Sequence, residues 1–127
     1  MKHQEPHTTN DLTFLQELLR QFVHDRDWEQ FHTPRNMILA LMGEVGELAE
    51  LFQWLSDEKA STIMRDPVLA GRVQEELADV FSYVLRLSDV LGINLGKALT
   101  AKIRVNAQRY PVERARGNAT KYTDFVD

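Results

Sequence analysis

Two stretches of this chain put paired acids where a helix should keep its apolar face. Thr33 as N-cap and Pro34 in the first turn predict a helix running to about Trp54. At 100° per residue, Leu41, Leu48 and Leu51 fall within roughly 60° of Glu44. Glu44 therefore sits inside the apolar stripe, with Glu47 one turn along. Asp66 and Pro67 repeat the start signal, and the next helix runs to about Val90 before Gly92 stops it. Leu69, Val73, Val80 and Leu87 lie within roughly 60° of Glu76. Asp79 and Tyr83 flank that stripe, whereas Glu75 points away as an ordinary surface acid.

An acid-x-x-acid pair on each of two core-facing stripes is costly, because a lone carboxylate loses several kcal/mol on leaving water. Protonation, pairing with basic residues or a shared cation would relieve it. Acid-x-x-acid pairs are common on solvated helix faces, so the pattern alone leaves a metal site and a plain surface reading evenly matched. If a cation is held, an all-oxygen ligand set suits magnesium, with manganese as a substitute. No histidine follows any of these acids at i+3, so the Glu-x-x-His signature of a di-iron bundle is missing.

The rest of the chain supplies helices and no strand pattern. Leu12, Leu15, Leu18, Leu19, Phe22 and Val23 keep helical spacing over about Asp11 to Arg26, with Asn10 as the expected N-cap. Residues 55–65 form a connector with room for a short helical turn. Asn94 can cap a fourth helix over Leu95 to about Arg109, ended by Pro111. Met37 to Met42 is apolar on nearly every side, so the second helix is expected to be buried all round, with a partner subunit covering one face. The expected organisation is an all-α four-helix bundle over residues 11–111. A loose polar arm (1–10) precedes it, and a C-terminal tail (112–127) packs on the domain or on a neighbouring subunit.

Composition narrows the function classes. Nineteen acidic residues against 15 basic give a net charge of −4, which argues against a nucleic-acid polymer as ligand. The chain has no cysteine, which excludes disulfides and thiolate metal sites and favours a cytoplasmic home. No apolar run reaches the roughly 18 residues of a membrane span, and the polar N-terminus has no signal-peptide core.

Lys102, Asn106 and Arg109 share one stripe of the fourth helix with Leu95 and Leu99. They could pair with the acids in an internal network, which pattern alone favours, or hold phosphate oxygens. Trp28, Phe31, Trp54 and Tyr83 could stack a nucleobase, although packing the core is the commoner fate of aromatic residues. His32 is a lone histidine beside a cap, and His3, His7 and His24 carry no signal.

Several stretches together resemble the all-α nucleoside triphosphate pyrophosphohydrolases of the MazG type, most nearly their dCTP pyrophosphatase branch. They are residues 26–32 (Arg-Asp-Trp-Glu-Gln-Phe-His), 34–36, 43–54 and 74–80, then Lys102 with Asn106, residues 109–111 and residues 121–123. The resemblance implies that Glu44, Glu47, Glu76 and Asp79 are magnesium ligands. It implies that Trp28, Glu29, Gln30, Phe31, His32, Trp54 and Tyr83 line the base and sugar pocket, and that Lys102 and Asn106 lie near the phosphates. Arg109 falls in a similar stretch as a further substrate contact. It also implies a homotetramer, a dimer of dimers with sites built between subunits. At Leu19 the chain departs from that branch, whose members carry a substrate-contacting histidine there.

The expected reaction is magnesium-dependent cleavage of a nucleoside triphosphate, dCTP or a modified dCTP, to the monophosphate and pyrophosphate. Glu47 is the candidate to orient or deprotonate water, and Lys102 to offset developing charge. Two rivals stand beside it: an enzyme for other non-standard nucleotides, and a non-catalytic helical module that binds a nucleotide or partner.

Overall fold

A computed structural model describes residues 11–126, and among these every regular element is helical. The helices are α1 (Leu12–Asp25), α2 (Pro34–Glu50), α3 (Asp57–Ser61), α4 (Pro67–Leu91), α5 (Leu95–Arg109) and α6 (Val112–Ala115). Short 3-10 turns lie at Glu29–Phe31, Ile63–Arg65 and Tyr122–Asp124.

Most helix ends follow from side chains that satisfy orphan amides. Asp11 caps α1, its Oδ1 accepting from the amides of Thr13 (2.9 Å) and Phe14 (3.2 Å). The expected cap, Asn10, lies outside the described residues, and Asp11 takes the role. Thr33 Oγ1 accepts from Asn36 N at 3.3 Å, and Asp66 Oδ1 accepts from Val68 N at 2.9 Å and Leu69 N at 3.2 Å. Gly92 ends α4 in the left-handed region (φ 68°). The Ile93 amide then reaches Ser88 O at 2.8 Å, closing the helix as a Schellman motif. Asn94 caps α5 through Lys97 N at 3.0 Å.

The second helix stops one turn early. It ends at Glu50, not at Trp54, because the chain tightens: the Leu51 amide bonds to Leu48 O (3.2 Å) and the Phe52 amide to Ala49 O (3.0 Å). Residues 51–54 are therefore a turn. The connector does contain a helical turn, α3, capped by Ser56.

The described residues form two compact units, one ending at Ile93 and the other beginning at Asn94. In the first, α2 packs along α4, α1 packs on α4, and the turn at Ile63–Arg65 lies against α4. Val23, Met37, Ile63 and Leu85 are its buried apolar residues. Only Met37 of α2 is buried; Ile38, Leu39, Val45 and Met42 (65% exposed) are open, so one chain does not bury this helix all round. In the second unit, Tyr110 at the end of α5 takes edge-to-face contacts from Tyr122 (5.7 Å) and Phe125 (5.9 Å), which tie the tail back to its own helix.

Candidate metal centre and adjoining cavity

The packing of α2 on α4 turns the two acidic stripes toward each other. Carboxylate oxygens of Glu44, Glu47 and Glu76 all lie within 4.8 Å of one another. Glu44 Oε2 and Glu76 Oε2 are shielded from solvent and have no hydrogen-bond partner. Buried acceptors are rarely left bare, so two together call for an explanation. Burial, then the charges of Glu47 and Asp79, push the Glu44 carboxyl up to about 7. Glu76 is raised as well, first by burial, then by the neighbouring Glu47 carboxyl and the charge of Asp79. Glu47 is exposed and closes the solvent side of the group. Asp79 stands outside the 4.8 Å set, yet near enough for its charge to act on both glutamates.

Among the described residues, no basic side chain forms an ion pair with Glu44, Glu47 or Glu76. Of the three remedies for crowded carboxylates, a hard divalent cation fits this group best. Each of the three offers an oxygen donor, Glu44 and Glu76 each keep a buried oxygen without a hydrogen-bond partner, and water and phosphate could complete the shell.

Beside the acids lies a cavity of about 140 Å³. Leu19, Phe22, Val23 and Trp28 form its apolar wall; His32, Ser82, Tyr83 and Arg86 are polar, and Glu44 and Asp79 border it on the acidic side. Trp28 is aimed by a sharp corner. Asp27 adopts φ 52°, the Trp28 amide bonds to Val23 O at 3.0 Å, and the indole meets Phe22 edge to face at 5.7 Å. Arg26 covers Phe22 from 3.7 Å.

The structure thus brings Trp28, His32, Tyr83, Glu44 and Asp79 to one cavity, and Leu19 with them. Glu29, Gln30 and Phe31 do not line it. Glu29 pairs with His24 Nδ1 at 2.8 Å, Gln30 donates to Asp27 O at 3.0 Å, and the Phe31 ring is exposed. Trp54 does not line it either and is 87% exposed. Lys102, Asn106 and Arg109 are exposed on α5 in the second unit, where Arg109 lies 5.0 Å over the Tyr122 ring.

Sequence reasoning missed Arg86 and Asp89. Arg86 follows Tyr83 by three residues and Asp79 by seven, which places a cation on the face that carries both. A basic residue at that register was the available signal.

Residues 40–125 match the MazG-like family. The chain is 49% identical over 111 residues to dCTP pyrophosphatase 1 of Rattus norvegicus and 44% identical over 111 residues to that of Homo sapiens. Each match covers 87% of this chain and 65% of the relative, so the chain spans about two thirds of the length of these curated relatives. A crystal structure of a pyrophosphatase from Archaeoglobus fulgidus superposes with a TM-score of 0.72 at 38% identity, covering 85% of this chain and 99% of that one.

Proposed function

Since the chain belongs to the MazG-like family, we propose that it is a magnesium-dependent pyrophosphohydrolase that converts dCTP, or a modified dCTP, to the monophosphate and pyrophosphate. The observation that carries this reading is the group of three glutamates with two bare, buried oxygens beside an aromatic-walled cavity. The relatives, a dCTP pyrophosphatase 1 and a pyrophosphatase, supply the substrate and the bond to this reading.

Glu44, Glu47 and Glu76 would hold the cation, with Asp79 as the fourth ligand. Magnesium bound there supplies charge neutralisation at the phosphate oxygens. Glu47, the exposed member, would orient water and accept its proton. The water oxygen bonds to the α-phosphorus while the bond to the bridging oxygen breaks, and pyrophosphate leaves. Trp28 and Tyr83 hold the base, the indole offering its face or edge to a ring. For Lys102 at the phosphates, and for Asn106 and Arg109, the resemblance is the whole support.

The apolar residues left open on α2 and α4, among them Leu39, Met42, Leu77 and Phe81, support assembly into a homotetramer. In such an assembly the exposed Trp54 would serve a neighbouring subunit's site. No helix of the described residues is long and apolar enough to cross a membrane, and the lack of cysteine favours the cytoplasm.

Purified protein with dCTP and magnesium should yield dCMP and pyrophosphate. Release of orthophosphate in place of pyrophosphate would refute the assignment. Leu19 on the cavity wall supports a second reading, an enzyme for other non-standard nucleotides. Rates over a panel of canonical and modified triphosphates separate the two, since the second reading ranks dCTP below a non-cytosine substrate.

A further inference from the structure

Arg86 is buried (8% exposed) on α4 and lines the cavity. Its Nε donates to His32 Nδ1 at 3.1 Å, and its Nη1 donates to Asp89 Oδ2 at 3.0 Å. Asp89 is clamped from its other side by Arg20, through Nε at 3.1 Å and Nη2 at 2.7 Å. A guanidinium has donors only. His32 Nδ1 must therefore offer Arg86 its lone pair, and the one proton of the neutral ring must sit on Nε2. An imidazolium would set one N–H against another beside a fixed positive charge. In accord with this, burial and then the charge of Arg86 hold the His32 pKa below its usual value.

We propose that Arg86 is a positioning residue: it locks His32 as the Nε2–H tautomer, so that the cavity presents a hydrogen-bond donor of fixed direction to an acceptor on the bound base. This rests on reading the cavity as the nucleotide site. The chemistry recognised is a carbonyl oxygen or an unprotonated ring nitrogen, as at O2 or N3 of cytosine. The α1 wall contributes only apolar side chains here, Leu19, Phe22 and Val23. Ser82 and Tyr83 carry hydroxyls that rotate to donate or accept. His32 is therefore the neutral polar group of the cavity whose role is set in advance, and discrimination between bases falls to it.

The test reads the ring directly. Long-range ¹H–¹⁵N correlation spectra of the full chain at neutral pH should show His32 protonated on Nε2. Arg86→Met should give a tautomer mixture and raise KM for dCTP about ten-fold, with a smaller change in kcat. In a His32→Gln background, whose amide donor stands near the Nε2 position, the same substitution should no longer affect KM. Arg86→Gln, whose neutral amide can donate or accept, serves if the Met variant does not fold, with the same tautomer mixture expected. An Nδ1–H ring in the unaltered protein overturns the proposal without recourse to any variant. So does an equal KM penalty in both backgrounds, which would mean that Arg86 acts on nucleotide by itself. A chain that cleaves no triphosphate defeats the reading of the site and this role with it. An active enzyme with the wrong tautomer defeats only the role of Arg86.

Discussion

Two charged groups share α4, about three and a half turns apart, and they are built on opposite plans. At Asp89, every charge has a partner: Arg20 and Arg86 both donate to its carboxylate, and His32 accepts the remaining Nε contact. The hydrogen bond from Arg20, then the charges of Arg20 and Arg86, lower the Asp89 carboxyl from its ordinary value. At Glu76, carboxylates face carboxylates, two oxygens are bare, and Glu44 and Glu76 are pushed upward. A satisfied network fixes a structure, whereas an unsatisfied one of a single sign stores repulsion that only a bound cation or a proton relieves. The contrast also bears on the rival reading of the acids as an internal ion network. This protein has such a network, and the acids are not part of it.

The largest effect should come from the unsatisfied group. Glu47→Gln or Asp79→Asn should lower kcat/KM for dCTP by about 10²-fold or more while helical content and oligomeric state persist. Circular dichroism and light scattering check the second half. Glu76→Gln should be equally inactive, yet it should melt higher than the unaltered chain without metal, since it removes repulsion.

The satisfied group should respond in stability instead. Asp89→Asn leaves the buried Arg86 without its counter-charge and should cost about 1–3 kcal/mol in urea unfolding. Arg20→Ala, on the exposed side of the same carboxylate, should cost less. If Asp89→Asn were neutral in stability and Glu76→Gln destabilising, the contrast between the two groups would be broken.

A smaller effect separates them by pH. Glu44 and Glu76 have folded pKa values above their unfolded ones, so the folded chain binds more protons. The contribution of Glu44 is full below about 4.5 and is lost as pH rises toward about 7, and that of Glu76 has the same sign. Asp89 is lowered, so its contribution is present above about 4 and is lost only as pH falls through its folded value. Metal-free protein should therefore melt a few degrees lower at pH 8 than at pH 5.5, and magnesium should flatten that slope.

The unsatisfied group was legible in the sequence and the satisfied one was not, for a physical reason. Glu44, Glu47 and Glu76 betray themselves locally, because an acid on an apolar stripe is visible from helical periodicity alone. The caps at Thr33, Asp66 and Asn94 are local in the same way. The Arg20–Asp89 and His32–Arg86 contacts join residues 69 and 54 positions apart, and no spacing rule reaches that far. The end of α2 at Glu50 was missed because no glycine or proline marks it; a tightening of the last turn does. Trp28 and His32 lie on the cavity while Glu29 and Gln30, between them in the chain, turn to His24 and Asp27. A 3-10 turn splits neighbours in that manner, which a motif read as a string does not reveal.

Titration calorimetry with magnesium asks whether the three glutamates, unpaired with bases among the described residues, take a cation. Runs at about pH 6.5 in two buffers of different ionisation enthalpy, with and without a non-hydrolysable dCTP analogue, should show saturable uptake. Proton release should accompany it, because the metal displaces the proton that Glu44 retains at that pH. Glu44→Gln should abolish the proton release. Absence of magnesium uptake in every arm, with nucleotide present, would mean that the three glutamates form no metal site.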